Sequence, residues 1–225
     1  MIFSGLVRYF DPESVRQAQR LVAVAGHAIL KDGQDPLLDG SWVLQDFQQG
    51  EAPCYIAHAR AGVEAAARDP GALLVFSGGQ SRRDAGARSE AQSYFWLADR
   101  SGWFGEPDVA ARATTEEFAR DSFENLLFAI LRFRECTGRE PAHVTLAGWA
   151  FKERRFDLHR QAIHWPAGRY TYIGVNDPPA LQAALEAEER TRAAWQADPL
   201  GDGPELRAKR DARNPFLRRS PYGPL

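Results

Sequence analysis

Several short apolar runs of this chain end in glycine or small polar residues, a pattern typical of strands that lead into a binding site. Ser77-Gly78-Gly79 directly follows the run at 72–76. Glycines at this point let backbone N–H groups approach an anion, and the start of the next helix adds a favourable dipole. The structural alternative is a turn that needs glycine only for its backbone dihedrals. The segment predicts either an anion-binding loop or a plain strand-to-helix turn.

Two cationic residues lie after the apolar run at 143–147, close to where the next helix is expected to begin. Positive charges at a helix N-terminus oppose the helix dipole, so Lys152 and Arg155 favour a bound anion as their partner. Arginine offers a fixed fork of donors that suits phosphate or carboxylate in a two-point contact. The alternatives are a solvated run of charges, or a surface pair between Arg155 and a nearby acid such as Glu153 or Asp157.

Three more polar residues are candidates for the same site. His27 directly follows the apolar run at 20–25. Glu90 falls in the first turn of a predicted helix, where the dipole alone favours an acid but where a general base could also lie. Asn125 lies on the helix stripe that should pack on the sheet, and a buried amide there needs a hydrogen-bond partner.

Other familiar reaction chemistries lack their sequence signatures. Cys54 and Arg60 have the bare spacing of cysteine phosphatases, but the residues between them lack the glycines of a phosphate-binding loop. The histidines do not show the spacing of a zinc site, so no metal site is predicted. With only two cysteines, the chain cannot form a disulfide framework, which favours a reducing compartment.

Apolar runs that alternate with helical segments must position these residues. The predicted strands are 20–25, 72–76, 143–147 and 170–175, with a weak fifth run at 108–113. The predicted helices are 51–69, 87–100, 115–137, 152–163 and 178–197. This alternation indicates an α/β fold, a Rossmann-like three-layer αβα sandwich around a mostly parallel sheet of about five strands. For the longest helix, Thr114 and Glu117 form a capping-box pattern and Gly138 suits the C-terminal end.

The length of 225 residues predicts a single α/β domain at 1–197, followed by a basic segment at 198–225 that is expected to be flexible. The stretch 31–50 is rich in glycine and predicts a long loop. A formal net charge of -2 gives no reason to expect nucleic acid as a partner, and no apolar run is long enough for an integral membrane segment. We therefore expect a soluble cytoplasmic protein, and the sequence does not indicate its oligomeric state.

The order of these motifs resembles the domain-of-unknown-function family DUF 218, which includes the bacterial proteins YdcF, SanA and ElyC. The resemblance covers about 20–176 and is greatest to the stand-alone soluble members. The family pattern has a glycine-rich end to the first strand, Ser-Gly-Gly after the second, a Ser-Glu-Ala helix start, a Thr-x-x-Asn helix and a Phe-His-x-x-Arg segment. This chain departs from it at Gly26-His27, at Asp121-Ser122 and at Lys152, which replaces the histidine. A lysine titrates far higher than histidine and is suited to hold an anion.

The resemblance implies a nucleotide-type ligand, with S-adenosylmethionine or another nucleotide as the candidate cofactor. Ligands of open α/β sheets bind beyond the carboxyl ends of the strands, so we expect one crevice to gather eight residues: His27, Ser77, Gly78, Gly79, Glu90, Asn125, Lys152 and Arg155. The expected ligand is a small anionic molecule, phosphorylated or nucleotide-like. Three functions remain open, namely an enzyme of transfer or hydrolysis with Glu90 as catalytic residue, a non-catalytic sensor or carrier, and an interaction protein that uses its basic tail.

Overall fold

The structure, a computed structural model, describes residues 10–31 and 35–222 of the chain. Its strands are β1 (Arg20–Ala25), β2 (Ile29–Leu30), β3 (Trp42–Val43), β4 (Ala72–Ser77), β5 (Ala113–Glu116), β6 (Val144–Gly148) and β7 (Tyr170–Gly174). Five of them form a parallel sheet in the order β5-β4-β1-β6-β7, and β2 pairs with β3 in a small antiparallel sheet. The predicted α/β fold with a five-stranded parallel sheet is confirmed.

The helices cover both faces of this sheet. They are α1 (Pro12–Gln17), α2 (Ala52–Ala67), α3 (Glu90–Arg100), α4 (Ser122–Thr137), α5 (Glu153–Ala162), α6 (Leu181–Ala197) and α7 (Pro204–Ala212). On one face pack α2 and α3, and on the other pack α1, α4 and α5. Outside these layers, α6 lies against α5, and α7 contacts the N-terminal end of α4. None of the helices in the described ranges is long and apolar enough to cross a lipid bilayer.

The strands are buried because their side chains alternate between two cores. In β4, Leu74 and Phe76 pack toward α2 and α3, whereas Leu73 and Val75 pack toward α4. All six residues of β4 are buried. Continuous apolar runs of this kind are needed when helices cover both faces of a parallel sheet, which is why the sequence predicts these strands well.

The edge strand β5 begins later than the sequence predicts. The expected strand at 108–113 is wrong over most of its length, since Pro107–Arg112 forms a 3-10 helix. The strand begins at Ala113 and is paired with β4 through Thr114 and Thr115. These β-branched residues favour a strand, although they lie where the sequence predicts the start of a helix.

The longest helix, α4, consequently also starts later than the predicted span of 115–137. The expected capping box of Thr114 with Glu117 is wrong. Asp121 caps the helix instead, because its carboxylate accepts a hydrogen bond from a backbone N–H of the first turn. The other end is confirmed, since Gly138 follows the helix with a left-handed φ of 71°.

The C-terminal segment is packed against the domain over its described part. The sequence predicts a flexible basic tail at 198–225, but α7 lies within this range and its Leu206 and Arg210 are buried. The Nε of Arg210 lies 2.5 Å from Oδ2 of Asp121, the residue that caps α4. A buried ion pair to the body of the domain holds α7 in place, so the prediction of a flexible tail is wrong for this helix.

Candidate functional site

A cavity of about 660 Å³ opens at the carboxyl edge of the sheet. The loops after β1, β4 and β6 contribute to its lining, together with the starts of α3, α4 and α5 and with residues of α6 and α7. Ligands of open parallel sheets bind at this edge. Five of the eight predicted site residues line the cavity, namely His27, Glu90, Asn125, Lys152 and Arg155, whereas Ser77, Gly78 and Gly79 do not.

The segment Ser77-Gly78-Gly79 is a structural turn. The N–H of Gly78 donates to the carbonyl oxygen of Glu116 at 3.0 Å, and the N–H of Gly79 donates to that of Ala119 at 2.7 Å. Because both N–H groups already make backbone hydrogen bonds, neither is free to bind an anion. The expectation that these two amides hold a phosphate is therefore wrong.

The glycines at the strand ends instead make room for Glu90. A Cβ atom at Gly26 or at Gly78 would lie 2.7 Å from the Cβ of Glu90, closer than real contacts allow. The side chain of Glu90 therefore packs against the residues that end β1 and β4. Its Oε1 accepts a hydrogen bond from the hydroxyl of Ser81. Burial raises the pKa of Glu90 above its ordinary value, opposed by the Ser81 hydrogen bond and by the charge of Arg213.

A buried chain of hydrogen bonds holds Asn125 at the cavity. Its Oδ1 lies 2.9 Å from the hydroxyl of Ser77, which also lies 2.9 Å from Oε2 of Glu116. The Glu116 carboxylate in turn accepts hydrogen bonds from the N–H groups of Phe118 and Ala119. Burial raises the pKa of Glu116 to about 7. Ser77 supports Asn125 and does not line the cavity, so its role as a ligand contact stays a prediction.

Arg155 is held by an acid from another helix. Its Nη2 lies 2.9 Å from Oε2 of Glu188 in α6, and the side chains are only 12% and 9% exposed. The sequence points to Glu153 or Asp157 as surface partners, but Asp157 pairs with Arg160. Within the described residues, Nε of Arg155 and Oε1 of Glu188 are buried without a hydrogen-bond partner. This ion pair therefore leaves one donor and one acceptor for which a ligand or water is needed.

Lys152 places an ammonium group in the cavity. Among the residues that the structure describes, no hydrogen-bond or ion-pair partner contacts its Nζ, which lies 5.4 Å from the ring centroid of Phe151. Burial lowers the pKa of Lys152, and the positive charge of Arg155 lowers it further, whereas Glu188 and Glu51 act in the opposite direction. A half-buried cation that lines a cavity and has no acid in contact is a suitable partner for an anionic ligand.

Two histidines and a tryptophan form an aromatic wall. The ring of His27 lies 5.2 Å from that of His58 and 5.8 Å from that of Trp149 between centroids. His58 is fixed by Asn176, with 2.8 Å between Nε2 and Oδ1. Burial lowers the pKa of His27 and lowers that of His58 to about 3, so both rings are neutral at pH 7. The buried Nε2 of His27 has no hydrogen-bond partner in the described ranges.

Charged side chains of both signs line the cavity. The cations are Arg82, Arg120, Lys152, Arg155, Lys209 and Arg213, and the acids are Asp46, Glu51, Glu90, Asp121 and Glu188. Arg120 is neutralised by Glu124, with 2.5 Å between Nη2 and Oε1. Across 10–31 and 35–222, no group of three or more His, Cys, Asp or Glu residues is arranged to hold a metal ion.

Helices α6 and α7 contribute residues that the sequence does not predict. Trp195 and Leu206 add apolar surface to the cavity, and Lys209 and Arg213 add positive charge. The available signal is the spacing of Leu206, Arg210 and Arg213 at i, i+4 and i+7, which places them on one helix face. The many prolines and glycines around this stretch indicate disorder instead, and they outweigh one short helical pattern.

Comparisons with known proteins connect the chain to a yeast protein whose description states no activity. The chain is 29% identical over 260 aligned residues to "Uncharacterized protein YOR238W" of Saccharomyces cerevisiae. The alignment covers 90% of this chain and 86% of that protein. No model of a known protein family matches the chain, and no solved structure matches it.

Proposed function

We propose that the cavity binds a small organic anion, phosphorylated or nucleotide-like, whose anionic group contacts Lys152 and Arg155. The observation that carries this proposal is the ammonium of Lys152, which lines the cavity with no hydrogen-bond or ion-pair partner among the described residues. A phosphate beside it would neutralise the charge and accept hydrogen bonds from both cations. Arg155 lines the same cavity and adds a second positive charge beside that of Lys152.

The size and lining of the cavity support an organic ligand. Its volume of about 660 Å³ lies within the range of small-molecule sites, about 300–1,000 Å³. Phe151 adds partly exposed aromatic surface to the lining, against which a base or another ring can stack, and the buried rings of Trp149 and Trp195 lie beside the cavity. The resemblance to DUF 218 proteins points to the same ligand class and makes S-adenosylmethionine a compound to test.

The same cavity favours catalysis, because it is lined by the half-buried carboxylate of Glu90, whose pKa is raised by burial. In this proposal Glu90 accepts a proton from an attacking water or hydroxyl, whose oxygen forms a bond to the reacting atom of the anionic group. The bond from that atom to the leaving group breaks, the leaving group departs and takes up a proton, and Lys152 and Arg155 stabilise the charge that develops on the anionic group. The result is a transfer or a hydrolysis reaction. The alternative of a sensor or carrier uses the same contacts without turnover. An interaction protein that acts through a free basic tail has less support, because Arg210 of this segment is buried.

A thermal-shift screen of nucleotides, sugar phosphates and S-adenosylmethionine tests binding, since a ligand at one hundred times its Kd stabilises by about 2.7 kcal/mol. Each hit is then titrated calorimetrically into wild type, Lys152→Met and Arg154→Met. Arg154 is an exposed cation of α5 that does not line the cavity. We expect Lys152→Met to weaken binding by about tenfold or more, because a hydrogen bond to a charged group contributes about 1.5–3 kcal/mol. The Arg154→Met variant should bind as wild type does.

Two results would contradict the binding proposal. One is a panel without any hit, and the other is a set of hits that Lys152→Met binds as tightly as wild type.

Mass spectrometry of the hit after incubation with the protein separates an enzyme from a carrier. We expect wild type to convert the compound, and Glu90→Gln to bind it without conversion. A compound that wild type binds and leaves unchanged would assign the chain to the sensor or carrier class.

A further inference from the structure

A second, smaller cavity of about 280 Å³ adjoins the ligand cavity. Arg120 and Arg213 line both cavities, so these two side chains lie at the boundary between them. Arg218 and Arg219 also line the smaller cavity. Four arginines and one acid, Glu117, therefore line a space to which the proposed function assigns no role.

Arg213 is the boundary cation that has no carboxylate partner. Its Nη1 donates to the carbonyl oxygen of Arg120 at 3.1 Å, and within the described ranges it forms no ion pair. Arg120 differs in this respect, because its charge is neutralised by Glu124. Burial is the largest cause of the lowered pKa of Lys152 and of Arg155, and the charge of Arg213 acts in the same direction, as expected for a cation that faces the same space.

Arg218 presents a further cation to the smaller cavity. Its guanidinium lies 4.0 Å from the ring centroid of Phe118 and donates to the carbonyl oxygen of Glu117 at 3.2 Å. No carboxylate pairs with it in the part of the chain that the structure describes. The buried ion pair of Arg210 fixes α7, and the residues that follow this helix, Arg213 and Arg218 among them, are thereby held beside the two cavities.

We propose that the ligand carries two linked anionic groups, as in a diphosphate, and that Arg213 binds the second group while Lys152 and Arg155 bind the first. This inference rests on the proposed function and narrows its substrate class from any phosphorylated molecule to one with a diphosphate. A guanidinium has donors on two edges, so one at the boundary of two cavities can contact oxygens of a phosphate in either of them. Arg218, which lines the smaller cavity, then adds positive charge near the second group.

Inorganic phosphate and pyrophosphate test this inference without knowledge of the organic part of the ligand. They are titrated calorimetrically, at one ionic strength, into wild type, Arg213→Met and Arg207→Met. Arg207 is a cation of α7 that lines neither cavity. We expect wild type and Arg207→Met to prefer pyrophosphate by about tenfold or more, the effect of one charge-assisted contact. We expect Arg213→Met to lose this preference, because its affinity for pyrophosphate should fall by more than its affinity for phosphate.

The variant should fold, because Arg213 is exposed and its hydrogen bond is to a single backbone carbonyl. If it does not fold, Arg213→Lys decides the question, since it keeps the charge but loses the fork and should show a reduced preference for pyrophosphate. Wild type that binds phosphate without preferring pyrophosphate would overturn this inference and leave the proposed function intact. Equal losses for both probes in Arg213→Met would also overturn it. Wild type that binds neither probe, together with a screen that finds no hit, would overturn both proposals.

Discussion

Replacement of Arg210 with methionine should destabilise the protein strongly, because this arginine is an anchor of the C-terminal helix. Its side chain is 9% exposed, and its Nε lies 2.5 Å from Oδ2 of Asp121. The two Nη groups donate to the carbonyl oxygens of Gly201 and Leu200 at 3.0 and 2.9 Å. Methionine can keep the contact with the ring of Trp195, but it leaves the buried carboxylate of Asp121 without its cation.

The size of this effect follows from the loss of one partner of a buried ion pair, which costs about 3–5 kcal/mol. Asp121 keeps the hydrogen bond from the N–H of Glu124 at 2.9 Å, so we expect the lower end, about 3 kcal/mol. For a chain of 225 residues, this corresponds to a decrease of about 6–12 °C in Tm.

Urea unfolding of Arg210→Met beside Arg207→Met measures the difference. The side chain of Arg207 is 62% exposed and lies 3.8 Å from Asp202, so its replacement should change the free energy of unfolding by under about 0.5 kcal/mol. Native-state digestion with trypsin should cut α7 after Lys209 faster in Arg210→Met than in wild type. A change below about 1 kcal/mol in Arg210→Met, the value of an exposed pair, would refute the docking of α7 and the cavity wall that it forms.

Three further changes test the site. Arg155→Lys should weaken phosphate binding by about 1–3 kcal/mol in calorimetry, because the two-point contact is lost, and an unchanged affinity would refute that contact. Burial and the charge of Arg155 lower the pKa of Lys152 to about 7, and only its ammonium form attracts an anion. The affinity for sulfate, measured by calorimetry, should therefore fall as the pH rises above about 7. Glu90 and Glu188 also have raised pKa values, and their deprotonation likewise weakens sulfate binding as the pH rises. A pH profile of sulfate affinity that is equally steep in Lys152→Met would therefore refute the assignment of this effect to Lys152. Gly26→Ala should lower the free energy of unfolding in urea by about 1–3 kcal/mol, since the added Cβ would lie 2.7 Å from the Cβ of Glu90, and an unchanged midpoint would show that the glutamate does not rest there.

The sheet is largely predictable from the sequence, because β1, β4 and β6 are apolar runs that end at glycine or serine. Such runs have few alternative structures in a chain with helical segments between them. The edge strand β5 is different, since Ala-Thr-Thr-Glu is short and only partly apolar. Its conformation is determined by pairing with β4, a tertiary interaction that local propensity does not reveal.

The site is predictable only where a strand end or a helix start places the residue. His27, Glu90 and Lys152 are of this kind, and all three line the cavity. The backbone N–H groups of Gly78 and Gly79 donate to Glu116 and Ala119, which lie much later in the chain. The residue types alone therefore do not show that these two donors are already hydrogen-bonded. Ion pairs between distant elements are equally hidden, because charge type does not identify a partner among many acids and bases.

The central position of β1 has a consequence for how fast the site can form. Leu21 pairs with Leu73 on one side and with Val144 on the other, so both neighbours of this strand come much later in the chain. The five-stranded sheet contains no local hairpin from which pairing could spread, and long loops must close before any strand contact forms. Chains dominated by such distant contacts fold more slowly than helical bundles of similar length. The cavity needs the loops after both β1 and β6, which are the paired strands that lie farthest apart in the sequence. A refolding chain therefore regains its capacity to bind a ligand only when β1 and β6 have paired.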